Sequence, residues 1–324
     1  MTTTPRDPAA LARLSALPLR ARVIVEGALS GLHRARHHGS SIEFAEHKEY
    51  SPGDEIRHID WRALAKHDRY YVKQFEQETQ LDVYLVLDAS GSMGFSSAGA
   101  SKLAYAGELA AALAYLAIGQ QDRVAVVGFG AAAIGEVVPA RGRAAHLHDV
   151  LGVIDRAVAS GGGGDHAGAA ALDRVAELSR RRRSLIIVLS DLFDPTGQTV
   201  AALRRLRGRR HDVAVLHVLD PAELEFPYDG LTRFEGMESG EHVLVHPSAI
   251  RAQYLERMRQ FLDQTQAELR AGGVGYQRCA TDRAPEQALL EFLIARAGPR
   301  AGAPAPAPGE ADRTSAAAGP EPRR

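Results

Sequence analysis

The sequence predicts an α/β fold: a doubly wound, mostly parallel sheet with an N-terminal helix and charged β/loop segment ahead of it and an inserted hairpin. Three observations predict it. Short continuous apolar runs recur at 83–87, 124–129, 185–189, 213–218 and 274–279, and such runs bury both faces, as parallel strands do between helix layers. Helical patterns alternate with them, over 101–118, 144–158, 166–180, 196–206 and 248–270. Oxygen-bearing side chains cluster immediately after two of the apolar runs, where open α/β sheets hold their ligands.

Taken in order, residues 1–10 have no apolar pattern and are expected to be disordered. Leu14, Leu17, Val23, Ile24, Gly27 and Ala28 follow at helical spacing, interrupted at Pro18, and predict one helix over 19–36. Residues 40–80 are dense in charge yet carry Phe44, Tyr50, Trp61, Tyr70, Tyr71 and Phe75. That is too aromatic for a linker and too charged for an independent core, so 11–80 is read as a segment packing on a main domain, 81–297. Within that domain Tyr105, Leu109, Leu113 and Leu116 make one helical stripe, and Leu255, Met258, Leu262 and Leu269 another. Residues 134–138 suit a short antiparallel edge strand beside 124–129, and 231–234 with 242–245 suit a hairpin. Of the last 27 residues, 298–324, 18 are Pro, Ala or Gly, and a disordered tail is expected there.

Composition narrows the function classes. The chain has 324 residues, with 39 Lys and Arg against 40 Asp and Glu, so no global field draws it to nucleic acid or an anionic membrane. Hydrophobic residues make 45% and charged residues 24%, the balance of a soluble globular protein. The longest apolar runs fall short of the roughly 20 residues that span a bilayer. The start has no apolar core behind a basic stretch, and Cys279 is the only cysteine, which argues against a secretory leader and a disulfide framework. A cytoplasmic protein without a membrane anchor or nucleic-acid partner is expected.

The polar cluster is specific. Asp88-Ala89-Ser90-Gly91-Ser92 follows the first apolar run and Ser190-Asp191-Leu192-Phe193-Asp194 the third. All the candidate ligands, Asp88, Ser90, Ser92 and Asp191, are oxygens, which suits a hard cation that keeps several waters, Mg²⁺ or Mn²⁺. Neutral hydroxyl ligands leave such an ion electrophilic enough to accept a carboxylate from a partner protein.

Asp88-x-Ser90-x-Ser92 after an apolar strand, with a later strand ending at Asp191, resembles the metal-ion-dependent adhesion site of von Willebrand factor type A domains over 81–297. Upstream, Glu43-Phe44, Tyr50-Ser51-Pro52-Gly53-Asp54, Ile56-Arg57-His58-Ile59-Asp60-Trp61 and Val72-Lys73-Gln74-Phe75-Glu76 resemble the long signature of a bacterial family catalogued as domain of unknown function fifty-eight. The resemblance implies a Rossmann-like type A fold and a partner among the MoxR-type AAA+ ATPases. Many family members carry membrane helices, for which this sequence shows no pattern. It also departs from the type A pattern: Gly164 stands where those domains usually place a Thr ligand, leaving Asp165 or water to fill the gap.

Other features have plainer readings. Asp88 and Asp191 would also serve as ordinary turn residues, and Asp165 as a helix cap. Ser92 lacks the Gly-x-Ser-x-Gly context of a nucleophile. The Gly161–Gly164 run has no following Lys-Ser/Thr and reads as a flexible loop lining the metal site. His33 and His37 are four apart but have no third zinc ligand. The arginine runs at 180–183 and 204–210 suit helix C-termini, with an acidic docking surface as the alternative. Trp61 either plugs the N-terminal segment onto the main domain or joins Arg57, Asp60 and Arg62 in a partner-binding patch.

The expected function is therefore a non-enzymatic adaptor. It would dock a partner carboxylate on a divalent cation and, by resemblance, act with a MoxR-type AAA+ ATPase to mature or remodel a client protein. The alternatives are a metal-free scaffold and a Mg²⁺-dependent hydrolase or phosphatase using His166 as its base.

Overall fold

A computed structural model of the chain describes residues 17–30, 48–49, 71–72, 80–130, 137–160, 167–194, 196–237 and 240–297. Helix α1 covers 17–30, and the two-residue strands β1 (Lys48–Glu49) and β2 (Tyr71–Val72) pair antiparallel. The order then runs β3 (Asp82–Asp88), a 3₁₀ turn (Gly91–Gly94), α2 (Lys102–Gly119), β4 (Arg123–Phe129), β5 (Val137–Arg141), α3 (His146–Ala159) and α4 (Gly168–Leu178). It continues with β6 (Ser184–Ser190), α5 (Gln198–Gly208), β7 (Asp212–Leu219), α6 (Pro221–Glu225) and the hairpin β8 (Thr232–Glu235) and β9 (His242–Val245). Helix α7 (Pro247–Ala271), β10 (Gly275–Ala280) and α8 (Pro285–Ala297) close the described chain.

Six strands form one sheet in the order β10-β7-β6-β3-β4-β5, parallel throughout except where β5 runs against β4. In β3 every residue is buried, as the continuous apolar run requires. The strand period of two sends Val83, Leu85 and Leu87 to one face, against α1, α2, α3 and α8. Tyr84 and Val86 go to the other, against α4, α5 and Leu269 of α7. The chain passes from β3 to β4 on one side and later returns to place β6 on the other. The crevice between β3 and β6 is therefore the switch point at which such sheets bind ligands.

The five apolar runs are all strands of this sheet, and the edge strand and hairpin occur within a few residues of their expected places. Several expectations need correction. Pro18 lies inside helix 17–30, because its fixed φ is itself helical, and Val23 is exposed while Ala21, Ile24, Val25 and Ala28 form the buried stripe. Helix α2 is buried on almost every side rather than along one stripe. It packs on the sheet beside α3, with α8 against it as well, and a Cβ at Gly107 would come within 2.5 Å of Val158. Helix α4 begins at Gly168, and α6 and α8 have no counterpart in the sequence reading. Gly164, Asp165, His166, His33, His37, Arg57, Asp60, Trp61 and Arg62 lie outside the described residues, as do 298–324.

Candidate functional site

The four expected ligands converge at the C-terminal ends of β3 and β6. Asp88 ends β3, and its Oδ1 accepts the backbone N–H of Ser90 at 2.9 Å, which closes the turn. Its Oδ2 accepts the hydroxyl of Ser190, the last residue of β6, at 2.5 Å. The Ser90 and Ser92 hydroxyl oxygens are 3.2 Å apart, with Ser90 buried and Ser92 partly open to solvent. Asp191 follows β6, and its Oδ1 accepts the N–H of Phe193 at 3.1 Å. Leu192, between them, is held at φ 52° in the left-handed region, an uncommon state for a branched residue and one that marks constrained backbone beside the site.

The turn is possible because of Gly130. Its φ is +118°, and a Cβ there would lie 2.3 Å from the carbonyl carbon of Ala89 and 2.5 Å from the nitrogen of Ser90. The chain leaving β4 thus passes hard against the Asp88-Ala89-Ser90 backbone, where only a glycine fits. The Ala89 N–H donates to Phe129 at 2.6 Å and fixes the same approach.

A buried ammonium also belongs to the cluster. Lys102, the first residue of α2, is 1% exposed, and its Nζ donates to Asp191 Oδ2 at 2.8 Å and to Glu223 Oε1 at 2.5 Å. Glu223 also accepts the N–H of Asp220, whose own carboxylate caps α6 and receives the N–H of Ser97. Behind Asp191, His217 bridges the Asp191 carbonyl, 2.7 Å from Nε2, and the Tyr276 hydroxyl, 2.8 Å from Nδ1.

Electrostatics divide the two aspartates. Burial, then the charge of Asp191, pushes the Asp88 carboxyl up to about 6. Burial would raise Asp191 too, but the charge and hydrogen bond of Lys102 outweigh it and hold that carboxyl below its ordinary range. Burial raises Glu223, against the opposing pull of Lys102. Burial resists the charge on Lys102, yet Asp191 and Glu223 keep it raised, so the amine stays an ammonium. Burial drives His217 down to about 4, leaving its ring neutral.

Three carboxylates, Asp88, Asp191 and Glu223, face one ammonium, so the cluster is short of positive charge at Asp88. Burying an uncompensated carboxylate is costly, and a hard cation is one remedy. The donors Asp88, Ser90, Ser92 and Asp191 fit such an ion in type, all being oxygens at one open edge. Among the described residues, no group of three or more His, Cys, Asp or Glu is arranged to hold a metal, so any cation here would depend on the serine hydroxyls.

Lys102, Glu223, His217 and Gly130 escaped the sequence reading, and Ser190 appears in the polar run without a role. One signal was present: Lys102 opens a helix directly after its Ser101 cap, where the helix dipole disfavours a cation, so an anionic partner had to exist. The others are brought in from distant parts of the chain and leave no local pattern.

The family described as protein of unknown function DUF58 matches residues 46–263, two thirds of the chain. This chain is a member of the DUF58 family. Uncharacterized proteins of Mycobacterium tuberculosis and Mycobacterium bovis are each 32% identical to it over 236 residues, covering 72% of this chain and 73% of theirs. Among solved structures, the conserved hypothetical protein BatB of Bacteroides thetaiotaomicron aligns with 67% of this DUF58 chain and 98% of its own, at 20% identity and a TM-score of 0.43. An aerotolerance-related membrane protein of Bacteroides fragilis aligns with 66% and 99%, at 20% identity and a TM-score of 0.42. In the DUF58 chain itself, no helix among the described residues is long and apolar enough to cross a membrane.

Proposed function

We propose that this DUF58 protein is a non-enzymatic adaptor built on a von Willebrand factor type A-like domain, with Asp88, Ser90, Ser92 and Asp191 holding Mg²⁺ or Mn²⁺ at its partner-binding edge. The observation that carries the reading is the charge shortfall at Asp88, set in an all-oxygen cluster at the sheet's switch point. A bound ion would supply the missing charge and one coordination position for a partner carboxylate. Asp88 and Asp191 would ligate it, while Ser190 and Lys102 would orient those two carboxylates. The candidate partner is a MoxR-type AAA+ ATPase working on a client protein in the cytoplasm, with Arg57, Asp60, Trp61 and Arg62 as a second surface. The hydrolytic alternative would need His166 as its base, which lies outside the described residues; His217, the histidine behind Asp191, has both ring nitrogens engaged and offers no substitute.

One observation favours a metal-free scaffold instead. Lys102 already gives Asp191 a cation, so the cluster can fold with Asp88 protonated and no ion at all.

Calorimetric titration of MgCl₂ into the protein and into Asp88→Ala separates the two readings. Saturable binding lost in the variant supports the cation site, and no binding to either supports the scaffold. A pull-down from the native lysate, with Mg²⁺ or EDTA, then tests the partner. An AAA+ ATPase retained only by the unaltered protein in Mg²⁺ is the expected result, and retention in every condition would shift the interface to the N-terminal segment.

A further inference from the structure

The opposite edge of the sheet carries a second feature. Helices α4 and α5 pack side by side and end together, each just before a strand begins. The turns that follow them place Arg180 to Arg183 ahead of β6, and Arg209 and Arg210 ahead of β7. All six are exposed and line one groove of about 880 Å³. A further recess of about 430 Å³ shares Arg181 and Arg182 and prolongs the groove past Tyr84 and Leu178.

Arg174, Arg205, Arg259, Arg283 and Arg296 each hold a carboxylate. None of the six groove side chains has an ion-pair or hydrogen-bond partner among the described residues. Exposed arginines elsewhere, such as Arg141, Arg204, Arg257 and Arg270, also lack an ion pair among the described residues, so what sets these six apart is that they share one concavity. The two acids at the rim are already committed, Glu177 to Arg174 at 2.9 Å and Asp173 to Arg205 at 3.0 Å. Helix C-termini accommodate one or two cations through the dipole, but that effect fades within a turn and does not account for six in one concavity. At the groove floor, burial and then the charge of Arg209 hold His211 below its usual range.

We infer that this groove is a docking site for an extended acidic segment of a partner protein. Charge complementarity argues for the anion, since a run of carboxylates would meet guanidiniums with no competing partner. Nucleic acid fits less well: the two rings that line the groove and its recess, His211 and Tyr84, are each only 4% exposed and offer no open platform on which bases could stack. Seven-residue strands separate this edge from Asp88 by about 20 Å, so the site stands independently of any cation there.

The test is fluorescence anisotropy at low ionic strength with a fluorescein-labelled poly-glutamate peptide and with oligo-thymidylate of equal length. The full chain should bind the peptide saturably, and Arg181→Glu/Arg182→Glu/Arg209→Glu should weaken it by about tenfold or more. The exposed pair Arg233→Glu/Arg257→Glu lies outside the groove and should leave binding within about twofold, and Arg181→Gln/Arg182→Gln/Arg209→Gln checks that charge loss alone suffices. Unchanged thermal melts confirm that each variant is folded. Absence of peptide binding, equal loss in the control pair, or tighter binding of oligo-thymidylate would each overturn the proposal, the last in favour of nucleic acid.

Discussion

Lys102 and Asp191 stand 89 positions apart in sequence yet form an ion pair of 2.8 Å whose side chains are 1% and 3% exposed. An ammonium and a carboxylate so far from water are tolerated only together, with Glu223 and the Phe193 N–H supplying further hydrogen bonds. This pair fixes the first turn of α2 against the end of β6 and thereby one wall of the candidate site.

Removing the ammonium leaves the buried Asp191 carboxylate facing the partly buried Glu223. Lys102→Met should cost about 3–5 kcal/mol of folding free energy, measured by denaturant unfolding. Adding Asp191→Leu and Glu223→Gln to the same chain should recover part of that loss. A single variant with unaltered stability would mean that the pair contributes nothing to the fold.

Two buried groups give opposite pH slopes. His217 titrates near 4 in the folded protein against an ordinary 6.5, so the unfolded chain binds the extra proton and stability falls as pH drops from 6.5 toward 4. Asp88, raised from 3.8 to about 6, binds its proton in the folded state first and gains stability over nearly the same window. In the unaltered protein the two slopes partly offset. Asp88→Asn removes the gain and should steepen the acid loss, by on the order of 2 kcal/mol between pH 7 and 4. His217→Gln should flatten it. Melting temperatures of the three proteins across that range check the signs.

Gly130→Ala combines a positive φ with a Cβ placed 2.3 Å from the Ala89 backbone. The β4 exit or the Asp88 turn must move, at a cost of about 2 kcal/mol or more. Because the strain falls on Ser90, the variant should also weaken any Mg²⁺ binding, whereas Gly197→Ala, at another positive φ with open space around it, should cost only about 1 kcal/mol and leave the cation site untouched.

Ser101 caps α2 through the Ala104 N–H at 3.1 Å. Ser101→Ala should lower stability by about 1 kcal/mol in thermal unfolding.

Much of this was legible beforehand because it is local. The apolar runs 83–87 and 185–189 declare strands buried on both faces, and strand ends in such sheets are where Asp88, Ser90, Ser92 and Asp191 had to meet. What stayed hidden is long-range. Ser190 reads as one more polar residue after a strand until parallel pairing sets it against Asp88, 102 positions away. Glu223 lies in a stretch that shows no helix pattern and gives no sign of its role until α6 lays it beside Lys102. Helix α8 was missed because Pro285–Ala297 carries apolar residues on several sides, without the single stripe that announces a surface helix.

The strand order has a consequence for how the chain is made. β3 gains β4 as a neighbour about 40 residues after it leaves the ribosome, but its other edge stays open until β6 has been synthesised, some 100 residues later. For that interval a strand destined to be buried on both faces presents a bare row of backbone donors and acceptors, the template on which nascent chains aggregate. Holding that edge in check during translation is a demand the fold places on the cell from within its own topology.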